Sequence, residues 1–84
     1  MTMYRKTALV EASQWFKQGD HPEVKEVPFN YQPIAFRNSG YGFIQTLEGG
    51  HVVTPSDWIC KGSKGEHWAI KDDIFKETYE EVKP

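Results

Sequence analysis

Residues 41–71 read YGFIQTLEGGHVVTPSDWICKGSKGEHWAIK, and this stretch decides the fold. Short runs of aromatic and β-branched residues alternate with clusters of Gly, Pro, Ser and Asp, the pattern of strands cut by tight turns. Tyr41 to Leu47 reads as one strand, and Glu48-Gly49-Gly50 turns the chain into His51-Val52-Val53-Thr54. Pro55-Ser56-Asp57 breaks that strand before Trp58-Ile59-Cys60-Lys61. The loop Gly62-Ser63-Lys64-Gly65 then leads into Glu66 to Lys71, which makes residues 58–71 the clearest hairpin in the chain.

Working outward, Ile34 to Arg37 is a further strand, joined through Asn38-Ser39-Gly40 to the one at 41–47 as a second hairpin. Before it, residues 28–33 (PFNYQP) hold two prolines and read as loop. His21 to Val27 reads as a short helix, with Asp20 as its N-cap, Pro22 in its first turn and Pro28 as its stop. Residues 4–16 alternate as a strand, with Ala8, Val10, Ala12 and Phe16 on one face and Leu9, Glu11, Ser13 and Trp15 on the other. Asp72-Asp73-Ile74-Phe75 reads as a short capped turn, and Lys76 to Val82 as an edge strand on the strength of Thr78, Tyr79 and Val82. The expected class is mainly β (α+β). It is a curled antiparallel sheet of five or six short strands forming a small roll or partly open barrel, with one short helix.

The length of 84 residues has room for one domain, residues 1–84. A chain of this size buries only about 60–65% of its unfolded surface, so its core must be efficient. Three Trp, four Tyr and five Phe supply that, each removing roughly 150–250 Å² from water. Cys60 is the only cysteine, which rules out an internal disulfide. The N-terminal MTMYRKTALVEASQWF has no apolar run of signal-peptide length, and no stretch reaches the ~20 apolar residues of a spanning helix. Together these lead to the expectation of a cytoplasmic protein without a membrane partner. Ten basic against twelve acidic residues leave a net charge of −2, a balance that disfavours nucleic acid as a partner.

The side chains able to do chemistry do not assemble into a catalytic pattern. His51, His67 and Asp57 lack metal-ligand spacing and His21 lies elsewhere, so no metal or other cofactor is expected. Cys60 sits mid-strand between Ile59 and Lys61, where packing explains it better than nucleophilic chemistry. Lys61 to Gly65 resembles an anion-binding loop in composition, but it leads into a strand and reads as a polar hairpin tip. Asp72 and Asp73 precede an apolar pair, where helix-capping acids belong. Trp58 and Trp68 flank one loop with Lys61 and Lys64 beside them. These four are the candidate binding surface, either as a stacking platform or as a cross-strand aromatic pair that holds the sheet together.

Several short motifs stand along the chain in a fixed order. Tyr4-Arg5-Lys6, Ala12 and Gln14-Trp15 stand at the front. Thr46 to Gly49, Asp57-Trp58-Ile59, Lys61-Gly62, Lys64-Gly65-Glu66, Asp73-Ile74-Phe75 and Thr78-Tyr79-Glu80 follow. This ordered set resembles a family of small bacteriophage and prophage proteins with the pattern "TLEG … PGDWI-x-KG-x-KGE … PDIF … TYE". Ser56 stands where that pattern usually has Gly, and Asp72 where it usually has Pro. The resemblance implies a phage-derived gene expressed in a bacterial host. The family has no assigned activity, so it supplies no site residue. The leading expectation is a non-enzymatic accessory protein that binds another protein, whether a host or phage factor or a second copy of itself as a homodimer, through a sheet edge at 76–82 or 28–37. The alternative is a nucleotide or single-stranded nucleic-acid module using the 58–68 hairpin. An enzyme centred on Cys60 or a histidine ranks last.

Overall fold

The computed structural model describes residues 2–3, 9–29 and 40–82. Six short strands and one short helix lie among them: β1 (Glu11–Gln14), β2 (Lys25–Glu26), β3 (Gly42–Thr46), β4 (Gly49–Val53), β5 (Trp58–Lys61), β6 (His67–Ile70) and α1 (Asp72–Thr78). The architecture is mainly β, as the alternation and turn signals require. The strands are shared between two three-stranded antiparallel sheets, ordered β1-β5-β6 and β2-β3-β4, and no barrel closes among the described residues.

The β5–β6 hairpin forms where its turn residues place it, with Trp58 opposite Ile70 and Cys60 opposite Trp68. The β3–β4 hairpin turns on Leu47 and Glu48, since Thr46 pairs with Gly49. Gly49 takes φ +119°, a conformation that a residue with a Cβ resists. Thr46 closes this turn with its hydroxyl, which donates to Gly49 O at 2.8 Å and accepts from Glu48 N–H at 3.1 Å. The expected strand at 34–37, and with it the 34–47 hairpin and the 28–37 edge, lies largely outside the described residues.

The core is built from both sheets. Trp15, Val24, Ile44, Val53 and Ile59 form one buried cluster, with Ala69 packed against it. The sheets meet where β3 passes β6. Trp15, just past β1, is fully buried, while its neighbour Phe16 is exposed. Pairing continues past β1, with Trp15 N–H donating to Asp57 O and Ser56 N–H to Trp15 O, both at 2.8 Å. Among the described residues the indole Nε1 of Trp15 has no hydrogen-bond partner, a cost the core accepts to bury so large a ring.

Two expected elements are corrected. Residues 21–27 hold a turn and the two-residue strand β2 instead of a helix. Val24 and Val27 are both buried, and Lys25 pairs with Phe43, so extended backbone serves the core better than a lone helical turn. Asp20 caps no helix; its carboxylate accepts from the N–H groups of Phe16 and Lys17 at 3.0 and 3.1 Å and closes a tight turn. The helix falls instead at 72–78, overturning the edge strand expected at 76–82. Helical spacing there sets Asp72 against Lys76 at 3.0 Å and stacks Phe75 on Tyr79.

Candidate functional site

The antiparallel register puts Ala12 and Gln14 beside Cys60 and Trp58 on one face of the β1-β5-β6 sheet. After Lys71 the chain turns into α1 and returns across that face. Phe75 lies flat on Trp58, with ring centroids 4.2 Å apart and planes inclined by 8°. Tyr79 stacks on Phe75 in turn at 4.9 Å and 12°. The result is a continuous three-ring stack joining the sheet to the helix and its exit.

Asp72 pins this stack. Its Oδ1 accepts from Trp58 Nε1–H at 2.8 Å and from Gln14 Nε2–H at 3.2 Å, and its Oδ2 meets Lys76 Nζ at 3.0 Å. The Trp58 hydrogen bond, then Lys76, hold the Asp72 carboxyl below its ordinary 3.8. Neither Asp72 nor Asp73 is the helix cap: Lys71 occupies that position and makes no side-chain capping bond. The two acids lie inside the first turn, where their charge suits the helix dipole.

Beside the stack runs a groove of about 650 Å³. Leu9, Val10 and Ala12 line it from the β1 side, and Thr78, Tyr79 and Val82 from the α1 side; Trp58 and Phe75 complete it. Leu9 and Val82 are 70% and 69% exposed. Among the described residues, the carboxylates lining it are Glu80 and Glu81, and no basic side chain lines it.

The four residues singled out from sequence are not gathered into one surface. Trp58 and Trp68 are diagonal neighbours on one sheet face, but Trp58 stacks on Phe75. Trp68 instead lines a second hollow of about 620 Å³, with Leu47, His51, His67 and Lys71 among its other walls. Lys61 belongs to the opposite face of β5, and Lys64 is exposed in the hairpin turn. Both indoles are half-buried.

His21 and His67 meet edge to face at 5.7 Å. Burial, and then the neighbouring His67, lower the His21 pKa below 6.5, against a smaller opposing pull from Glu23. Its Nδ1 accepts from Glu23 N–H at 3.0 Å, a bond the neutral ring makes and the protonated ring loses. Among the described residues no group of three or more His, Cys, Asp or Glu is placed to hold a metal ion. Asp57, only 3% exposed, is satisfied by Thr54 N–H at 2.9 Å and by Lys71 Nζ at 3.3 Å. Cys60 is fully buried. No described helix is long and apolar enough to cross a membrane.

Sequence reasoning missed Phe75, Tyr79, Leu9, Val82 and Asp72 as parts of one site. The available signal was the four-residue spacing of Asp72 with Lys76 and of Phe75 with Tyr79, outweighed by the β-forming Thr78, Tyr79 and Val82. No family model matches the chain, and neither a curated protein nor a solved structure matches it.

Proposed function

We propose that this chain is a phage-derived, non-enzymatic accessory protein of the bacterial cytoplasm that works by binding another protein through the β1–α1 groove. The observation that carries the reading is the Trp58–Phe75–Tyr79 stack, held by Asp72 and bordered by the exposed apolar side chains of Leu9 and Val82. Rigid aromatics in an apolar setting with a polar rim are the usual anchors of protein interfaces. The phage origin rests on the ordered motif set. Its usual Gly falls at Ser56, where φ is +78°, so the pattern makes conformational sense on this backbone.

The charge around the groove argues against the nucleic-acid reading, because Glu80 and Glu81 repel phosphates. Site-specific photo-crosslinking in the bacterial host tests the proposal. A photoreactive residue at position 9 or 82 is expected to give discrete protein adducts that Phe75→Ala abolishes. The same residue at Leu47, on the β3–β4 turn, is expected to give none. Equal labelling from all three positions, or none from 9 and 82, rejects the groove as the binding surface.

A further inference from the structure

We infer that α1 is a hinged strap, which lifts off β5 as one piece while both sheets stay folded. Among the described residues, the hydrogen bonds, ion pairs and ring contacts from α1 to the sheets come from two side chains, Asp72 and Phe75. Both end on Trp58, and Asp72 adds one bond to Gln14. No residue of the helix is fully buried, and its N-cap, Lys71, makes no side-chain capping bond. A helix of seven residues has no stability of its own, so without those two side chains it leaves the sheet.

The hinge is Lys71. Strand β6 ends at Ile70 and α1 begins at Asp72, so this one residue joins them. Its ammonium is tied to the body of the fold, at 2.6 Å from Thr54 Oγ1 and 3.3 Å from Asp57 Oδ1. Motion beyond it therefore leaves the β5–β6 ladder, whose last pair is Trp58 with Ile70, in place. The lock is the pair of N–H donors, from neighbouring strands, that converge on Asp72 Oδ1. Releasing it costs little. Gln14 keeps its second bond, to Ser56 O at 3.0 Å, and the uncovered Trp58 N–H passes to water. Phe75, Thr78 and Tyr79 line the groove, so the groove is complete only while the strap is closed. An occupant then holds α1 down, a consequence that rests on the protein-binding reading above, whereas the opening itself does not.

Hydrogen exchange of the free full chain, followed by NMR, tests the strap with no partner present. Three hydrogens report on it: the amides of Phe75 and Tyr79, each bonded at 2.9 Å within the helix, and the Trp58 indole N–H. All three are expected to share one protection factor within about threefold, roughly 10- to 1,000-fold in size. Amides of the central strand β5 are expected to exchange at least about tenfold more slowly, so the Trp58 indole follows the helix and not its own strand. In Asp72→Ala the two helix amides are expected to exchange about tenfold faster with β5 unchanged, although alanine favours helix. An indole hydrogen as protected as β5 overturns the strap, because the helix then leaves only in global unfolding. A fast Tyr79 amide beside a protected Phe75 amide and indole overturns it too, as the helix then frays from its end. No protection at any of the three overturns the closed state. Each of these failures is read without a partner, and is thereby distinct from a failure of crosslinking at positions 9 and 82.

Discussion

At Ser56 the backbone takes φ +78°, and the cause is the turn it belongs to. Asp57 N–H donates to Thr54 O at 3.1 Å, Pro55 holds the second position, and the third then needs positive φ. A residue with a Cβ pays roughly 1–2 kcal/mol there, and glycine returns about 0.4–1 kcal/mol of that through the greater freedom of its unfolded chain. Ser56→Gly is therefore expected to stabilise by about 0.5–1 kcal/mol, raising the thermal midpoint by roughly 2–8 °C. An unchanged or lower midpoint in a calorimetric scan contradicts this. Gly42 is the opposite case. A Cβ there would run into Val24 Cγ1 and lie 2.9 Å from Trp15 Cζ2, in the middle of the core. Gly42→Ala is expected to cost about 1–3 kcal/mol, read as a lower urea midpoint with an unchanged slope.

The helix α1 shows how an element depends on its partner. Seven residues are too few to be stable alone, and none of them is fully buried. It persists because Phe75 is stacked between Trp58 and Tyr79 and because Asp72 ties its first turn to β1 and β5. Each aromatic pair contributes about 0.5–1.5 kcal/mol, so Phe75→Ala is expected to remove about 1–3 kcal/mol and to melt the helix ahead of the sheets. Fast amide exchange confined to residues 72–79, with β5 and β6 still protected, is the expected signature; uniform loss of protection contradicts it. The Trp58, Asp73, Ile74, Phe75, Thr78 and Tyr79 side of the motif pattern was visible in the sequence as ordered residues. That they form a helix lying on β5 was not, because Thr78 and Tyr79 favour strand by local propensity and only the docking contact overrides them.

At the scale of the whole molecule, His21 before β2 and Asp72 in α1 give the fold a pH dependence. His21 titrates below its ordinary 6.5 when folded, so the unfolded chain binds its proton first. Stability is then complete above that value, falls as the pH drops below 6.5, and levels off once the folded ring is protonated. Asp72 titrates below 3.8 when folded, so its contribution is present above that value and is lost on further acidification through the folded pKa. Urea midpoints measured across pH 7 to 3 are expected to fall in two phases, and His21→Gln is expected to flatten the upper one only. A profile identical to the parent's removes His21 as the cause.

The sequence by itself determined the class of this protein. Period-two alternation, turn residues at short intervals and many aromatics admit little besides a small β domain, because these signals are local and act before any contact forms. It also settled the 58–71 hairpin, whose loop and flanking strands are contiguous. Tertiary structure decided what the ambiguous segments became. Burial of Val24 and Val27 drew 21–27 into the sheet, and the Trp58 ring drew 72–78 into a helix. The groove belongs to the same class of outcome. Its walls come from residues about seventy positions apart, Leu9 to Ala12 and Thr78 to Val82, and only packing through Trp58 and Phe75 brings them together.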